Sequence, residues 1–161
     1  MTLTRTAVLL LAVIATGLIA GLFYTFAIAV MPALNQADDR TFVVAMQRIN
    51  VAILNPWFLI CFLGALLLTA LAGVFTLLAD SHGVLPWIIA AFVLYLAMFI
   101  ITAAINVPLN NELEAAGNTD LAAVRARFEA TWVGWNVVRA LTSTAAFGCL
   151  AWALVAQSRT G

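Results

Sequence analysis

Along the last apolar stretch of this 161-residue chain, Trp132, Asn136 and Arg139 stand at i, i+4 and i+7. That spacing puts three side chains on one face of a helix, and Trp135 and Ser143 adjoin the stripe at helical spacings. A guanidinium, an amide and an indole on one face could hold the negative oxygen of a planar ligand while its ring stacks on the indole. Low dielectric would strengthen both contacts. In such chemistry Arg139 and Asn136 are the candidate catalytic pair, Arg139 stabilising an oxyanion and Asn136 donating or orienting, with Trp132 as the substrate-binding ring. Arg139 follows Glu129 by about ten residues, so it lies roughly 15 Å along the helix from the interfacial region. Insertion scales charge about 2.5–3.5 kcal/mol for Arg at a helix centre, so the group should face protein or water and have partners. The alternative is an arginine that snorkels or ties neighbouring helices together, with the tryptophan packed near the interface and Asn136 as interhelical glue.

Other polar residues fall beside the entrance to the same helix. Tyr24 lies about two turns before the end of the first apolar stretch, Gln47, Asn50 and Asn55 precede or open the second, and Asn106 and Asn110 close the third. In a membrane all of them sit near one rim, which makes Tyr24, Asn50, Asn106 and Asn110 candidate substrate-binding residues. Asn106 and Asn110 are four apart around Pro108. A continuing helix would put both amides on one face, and the proline would free a carbonyl near Ala104, giving a kink that lines a cavity. In the other reading Asn106 caps a helix and Asn110 starts a loop.

His82 is the sole histidine, in a short turn where exposure is expected. With one His, two separated cysteines (Cys61 and Cys149, read as packing residues) and scattered acids, no metal site of ordinary spacing assembles. Ser143 has no His or Lys beside it to act as base. Glu112 and Glu129 could be bases, yet their charged surroundings favour solvated interfacial positions. No metal and no cofactor is therefore expected.

The elements that must position these residues follow from composition. The chain is 65% hydrophobic and 9% charged, with mean hydropathy +1.10, against about 25% charged residues in soluble domains. Zero net charge, no Lys and no Gly-rich phosphate loop exclude nucleic acid and nucleotides as natural partners. Four stretches are long enough to cross a hydrocarbon core as helices: about 6–32, 56–79, 84–106 and 130–157. The expectation is one integral membrane domain over 1–161, an all-α, four-transmembrane-helix bundle with a short amphipathic helix between spans one and two. Asn55-Pro56-Trp57 and Leu85-Pro86-Trp87 mark helix starts, since Pro suits the first turn and Trp the interface. The first apolar run is too long for a secretory signal, so a retained first helix is expected.

Four spans place both termini on one side, and a slight arginine excess in the two long connections favours termini outside. Asp38 or Asp39 could cap an amphipathic helix bearing Phe42, Val43, Met46 and Ile49, lying on the membrane surface. Gly117-Asn118 reads as a turn and Thr119 or Asp120 as a cap, so the fourth helix begins outside the bilayer. Pro32-Ala33-Leu34-Asn35 and Pro108-Leu109-Asn110, each followed by a polar helical segment and another span, suggest a duplicated hairpin. The expected partners are the lipid bilayer and a hydrophobic small molecule, and oligomeric state is left open.

Gly21-Leu22-Phe23-Tyr24 leading to Met31-Pro32-Ala33-Leu34, Met46 to Asn50, Asn106 to Asn110, and Trp132 to Arg139 together resemble the anthrone-oxygenase-like integral membrane family. The resemblance covers nearly the whole chain. It implies a four-span membrane protein, and for fungal members it implies oxidation of anthrones to anthraquinones without a recognised cofactor, while most bacterial members are a domain without an assigned role. The resemblance thus implies cofactor-independent oxidation of a hydrophobic phenolic, polyketide-like molecule, with a bacterial inner (plasma) membrane as its setting. The alternative is a non-enzymatic membrane protein binding a lipid, quinone or partner through the same pocket. One departure matters: the family pattern often carries His four residues after the Trp, where this chain has Asn136. Asn cannot take a proton. Without a redox metal, oxygen chemistry is restricted to substrates whose own carbanion can reduce oxygen.

Overall fold

The structure, a computed structural model, describes residues 2–79, 83–117 and 119–160; Ser81 and His82 of the short turn and Asn118 lie outside them. Every regular element among the described residues is helical: α1 (Thr2–Thr25), a π-helical turn (Phe26–Val30), α2 (Met31–Asn35), α3 (Asp39–Ala52), α4 (Pro56–Leu78), α5 (Leu85–Ile101), a second π turn (Thr102–Asn106), α6 (Val107–Ala115) and α7 (Leu121–Thr160). Four continuous helical stretches, Leu3–Asn35, Pro56–Leu78, Leu85–Ala115 and Leu121–Arg159, are long and apolar enough to cross a membrane. The fold is the expected all-α, four-transmembrane-helix bundle, with α3 between the first two spans.

Local chemistry sets the ends. Asn55 caps α4, its side-chain oxygen accepting the Phe58 N–H at 3.0 Å, and Pro56 occupies the first turn where no N–H is missed. Asp38 caps α3, accepting the Thr41 N–H at 3.0 Å and its hydroxyl at 2.6 Å. After α6, Gly117 takes φ +58°, a left-handed conformation that needs no Cβ relief.

The first and third spans run on past the prolines near their ends. A proline inside a helix lacks an N–H, and its ring clashes with the carbonyl four residues back. For Pro32 and Pro108 those carbonyls belong to Ile28 and Ala104, and both lie inside the π turns. There the backbone bonds one residue further back: Met31 N–H to Phe26 O, and Val107 N–H to Thr102 O. The widened turn makes room for the ring, so the helix bends its ladder instead of ending. The suspected hairpin repeat thus has a shared structural device, a π turn closing one residue before each proline.

Two apolar clusters fill the bundle. The larger joins Leu9, Ile19, Phe62, Ile88, Tyr95 and Leu150, with fully buried Ala12, Ala65, Ala91 and Ala146 allowing close helix approach. Tyr95 satisfies its hydroxyl by donating to Phe62 O at 3.0 Å. Cys61 and Cys149 are free and pack against this cluster, as their apolar surroundings suggested.

The smaller cluster, at the rim of the long connections, gathers Met31, Phe42, Val43, Met46, Leu113, Val124, Phe128 and Trp132. It corrects the expectation that the apolar face of α3 is turned to the membrane surface. Phe42, Val43 and Met46 are fully buried by protein. Both long connections return to the same rim, so their helices cover each other's apolar faces and also cover the start of α7. Gln47 secures α3 to the end of α6 by donating to Leu113 O at 2.9 Å and Gly117 O at 3.2 Å. Arg125, on α7, fastens the chain where it leaves the first span. It donates to Asn35 O and Ala37 O, both at 2.8 Å, pairs with Asp39 at 3.2 Å and Glu129 at 2.7 Å, and lies over the Phe42 ring.

Candidate functional site

Between the two clusters lies a pocket of about 300 Å³, at the lower end of small-ligand sites. Helix α7 contributes Trp132, Asn136 and Arg139; α1 contributes Phe23; α3 contributes Asn50; and α6 contributes Asn110. Five of the seven residues singled out from sequence thus line one cavity. The i, i+4, i+7 stripe faces inward, where Phe23 of α1 and Asn106 and Asn110 near the end of the third span contact it.

Arg139 is 5% exposed. Its guanidinium carbon lies 4.4 Å from the Phe23 ring centroid and 5.2 Å from that of Trp132, so two π faces supply much of what water would. Nη2 donates to Asn136 Oδ1 at 3.0 Å, and Asn136 in turn donates from Nδ2 to Phe23 O at 3.1 Å. The Asn136 amide is therefore used at both ends to orient the arginine against α1. The buried Nε has no partner, and Arg139 makes no ion pair among the described residues. A desolvated cation with an unused donor invites an anionic oxygen.

Trp132 is fixed on several sides. Its indole N–H donates to Asn110 Oδ1 at 2.8 Å, and its ring stacks on Phe128 at 5.9 Å with Phe26 tilted against it at 5.8 Å. Its carbonyl accepts from Asn106 Nδ2 at 3.4 Å.

Asn106 and Asn110 do sit on one continuing helix, and Asn106 makes no side-chain cap. Asn110 faces the cavity while Asn106 is buried behind Trp132, with its Oδ1 unpartnered. Tyr24 departs from expectation: it is 54% exposed and outside the lining. Neighbours on a helix point about 100° apart, and it is Phe23, 5% exposed, that faces Arg139. Trp135 is turned outward, and Ser143 Oγ returns to its own backbone at Arg139 O, 2.6 Å away.

Sequence reasoning passed over Phe23, Phe26 and Glu114, all on the lining. Nothing local marks Phe23 or Phe26 as facing inward, because the first span is apolar on every side. The outer wall includes Val51, Leu54 and Val107, which are also exposed on the flank of the bundle. Among the described residues no group of three or more His, Cys, Asp or Glu could hold a metal.

Fold and pocket define a multi-pass membrane protein with an aromatic, arginine-floored cavity at one rim. The family model for anthrone oxygenase matches residues 57–149, more than half of the chain, and the protein belongs to that family. The matched region carries Asn106, Asn110, Trp132, Asn136 and Arg139, and leaves Phe23 and Asn50 outside it. No curated protein and no solved structure matches the chain.

Proposed function

We propose that this protein oxidises a hydrophobic phenolic aromatic of the anthrone type, using molecular oxygen directly. The observation that carries the reading is Arg139, a buried cation without a carboxylate partner among the described residues, held between Phe23 and Trp132 in a pocket of about 300 Å³. A ring methylene opposite a ring carbonyl loses a proton, and the electron pair delocalises onto the carbonyl oxygen. Arg139 stabilises that oxyanion where low dielectric makes the contact strong, Asn136 fixes the guanidinium, and Trp132 stacks on the substrate ring. Asn50 and Asn110 border the rest of the ligand. The carbanion passes an electron to oxygen, the radical pair couples to a substrate peroxide, and loss of water leaves a second carbonyl. In balance, CH2 and O2 become C=O and H2O. The setting of this reaction is the plasma membrane of a bacterium.

A second reading, binding of a lipid or quinone without turnover, is favoured by Asn136. Both ends of its amide are engaged, and it cannot take a proton. Oxygen uptake and quinone formation from anthrone, by purified protein in nanodiscs, separate the two. Uptake above the spontaneous rate that disappears in Arg139→Ala at matched folded content supports oxidation. A rate equal to that of protein-free nanodiscs rejects it in favour of binding alone.

A further inference from the structure

Carbanion formation needs a proton acceptor within reach of the ligand, and Asn136 at the floor of the pocket is not one. Of the described residues lining the cavity, only Arg139 and Glu114 carry acidic or basic side chains. The two nearest acids in sequence on α6 and α7 are placed elsewhere. Glu129 is committed to Arg125 at 2.7 Å and to Asn35 at 2.8 Å, and Glu112 lies on a separate depression with Leu113 and Arg127.

The positions of Glu114 and Arg139 form a ladder. From the buried guanidinium, α7 rises through Asn136 to Trp132, whose indole N–H reaches across to Asn110 on α6. One helical turn beyond Asn110, about 6 Å further along α6, comes Glu114. The cation thus stands at the floor of the pocket and the carboxylate at its mouth, with the aromatic faces between. The Glu114 side chain has no hydrogen-bond or ion-pair partner among the described residues, and it is exposed to solvent.

We propose Glu114 as the proton acceptor of the oxidation, which rests on the reading given under Proposed function. A ring methylene and the carbonyl opposite it occupy opposite edges of one ring, so a ligand stacked on Trp132 with its oxygen on Arg139 turns its methylene toward the mouth. The C–H bond breaks, the proton passes to a Glu114 carboxylate oxygen, and the electron pair moves to the oxygen facing Arg139. Because Glu114 is exposed, the proton then leaves to water, and the carboxylate is restored for the next turnover.

The test removes oxygen. Under argon, in deuterated buffer, the nanodisc-embedded protein exchanges the methylene hydrogens of anthrone, read by mass spectrometry against protein-free nanodiscs. Wild type should exceed background. Glu114→Gln should lose about 100-fold of that excess, Glu114→Asp should recover part of it, and Glu112→Gln should match wild type. Glu114→Gln exchanging as fast as wild type overturns this assignment and leaves the oxidation reading standing. Wild type exchanging no faster than protein-free nanodiscs overturns both.

Discussion

Arg139 is held twice by one residue of α1. Its guanidinium lies over the Phe23 ring at 4.4 Å, and the Phe23 carbonyl anchors the Asn136 amide that accepts from Nη2. Ring and backbone of a single phenylalanine therefore position a cation that a carboxylate would have neutralised. The charge stays available to whatever oxygen enters the pocket.

Phe23→Leu keeps the carbonyl and removes the π face. A cation–π contact is worth about 0.5–2 kcal/mol, so kcat/KM for anthrone oxidation should fall about two- to thirtyfold. An unchanged value would show that the ring does not support the arginine.

Arg139→Lys retains a positive charge but loses the planar fork and its fit to Asn136. The expected outcome is a fall in kcat of about 100-fold at matched folded content. A lysine variant with wild-type kcat would contradict the role given to the guanidinium geometry.

The indole N–H of Trp132 and the Asn110 oxygen, 2.8 Å apart, should couple. A double-mutant cycle of Trp132→Phe and Asn110→Ala on stability should give about 1 kcal/mol of interaction. Arg139 and Asn106, which share Trp132 as a partner without a hydrogen bond between them, should couple more weakly than that pair. Reversal of this order would contradict the geometry of the pocket.

Much of this was readable from residue order, and the reasons differ by element. The spans follow from hydropathy, and Asn55-Pro56 marks a helix start because cap and proline act locally. Trp132, Asn136 and Arg139 share a face because they lie on one helix, where spacing alone fixes direction. Tyr24 and Phe23 could not be told apart, since α1 is apolar on every side and nothing local marks its inner face. The burial of α3 depends on α6 and α7, far away in the chain, so its amphipathic pattern was compatible equally with lipid and with protein.

Arg125 joins the end of the first span to α3 and α7 with its side chain only 13% exposed. Arg125→Met leaves Glu129, Asn35 O and Ala37 O short of a donor. Unfolding in mild detergent should show a loss of about 2–4 kcal/mol, and a loss below 0.5 kcal/mol on the scale of surface substitutions, about that size, would remove the clamp role.

The Thr41 hydroxyl and N–H hold the Asp38 carboxyl below its usual value of 3.8. A depressed folded value means that the cap's contribution is complete above the usual carboxylate range and is lost as pH falls through the lower, folded value. Amide protection at the start of α3, taken against the intrinsic exchange rate at each pH, should fall on acidification through that window. In Asp38→Asn, which caps without a charge, that fall should be absent.

The two π turns also change the phase of their helices. Each bonds five residues back where an α-helix bonds four, which slips the later side chains by one residue, about 100° of rotation. Phe23 and Met31 of the first span are both buried across such a slip. The first and third spans therefore carry one residue more than an uninterrupted helix needs to keep the same faces inward. Deleting one residue within Phe26–Val30 would restore an α-helical count with both faces unrotated, whereas inserting one elsewhere in α1 would turn Phe23 away from Arg139. In register each turn acts as a one-residue insertion that the helix absorbs, and it stands next to the proline whose ring it accommodates.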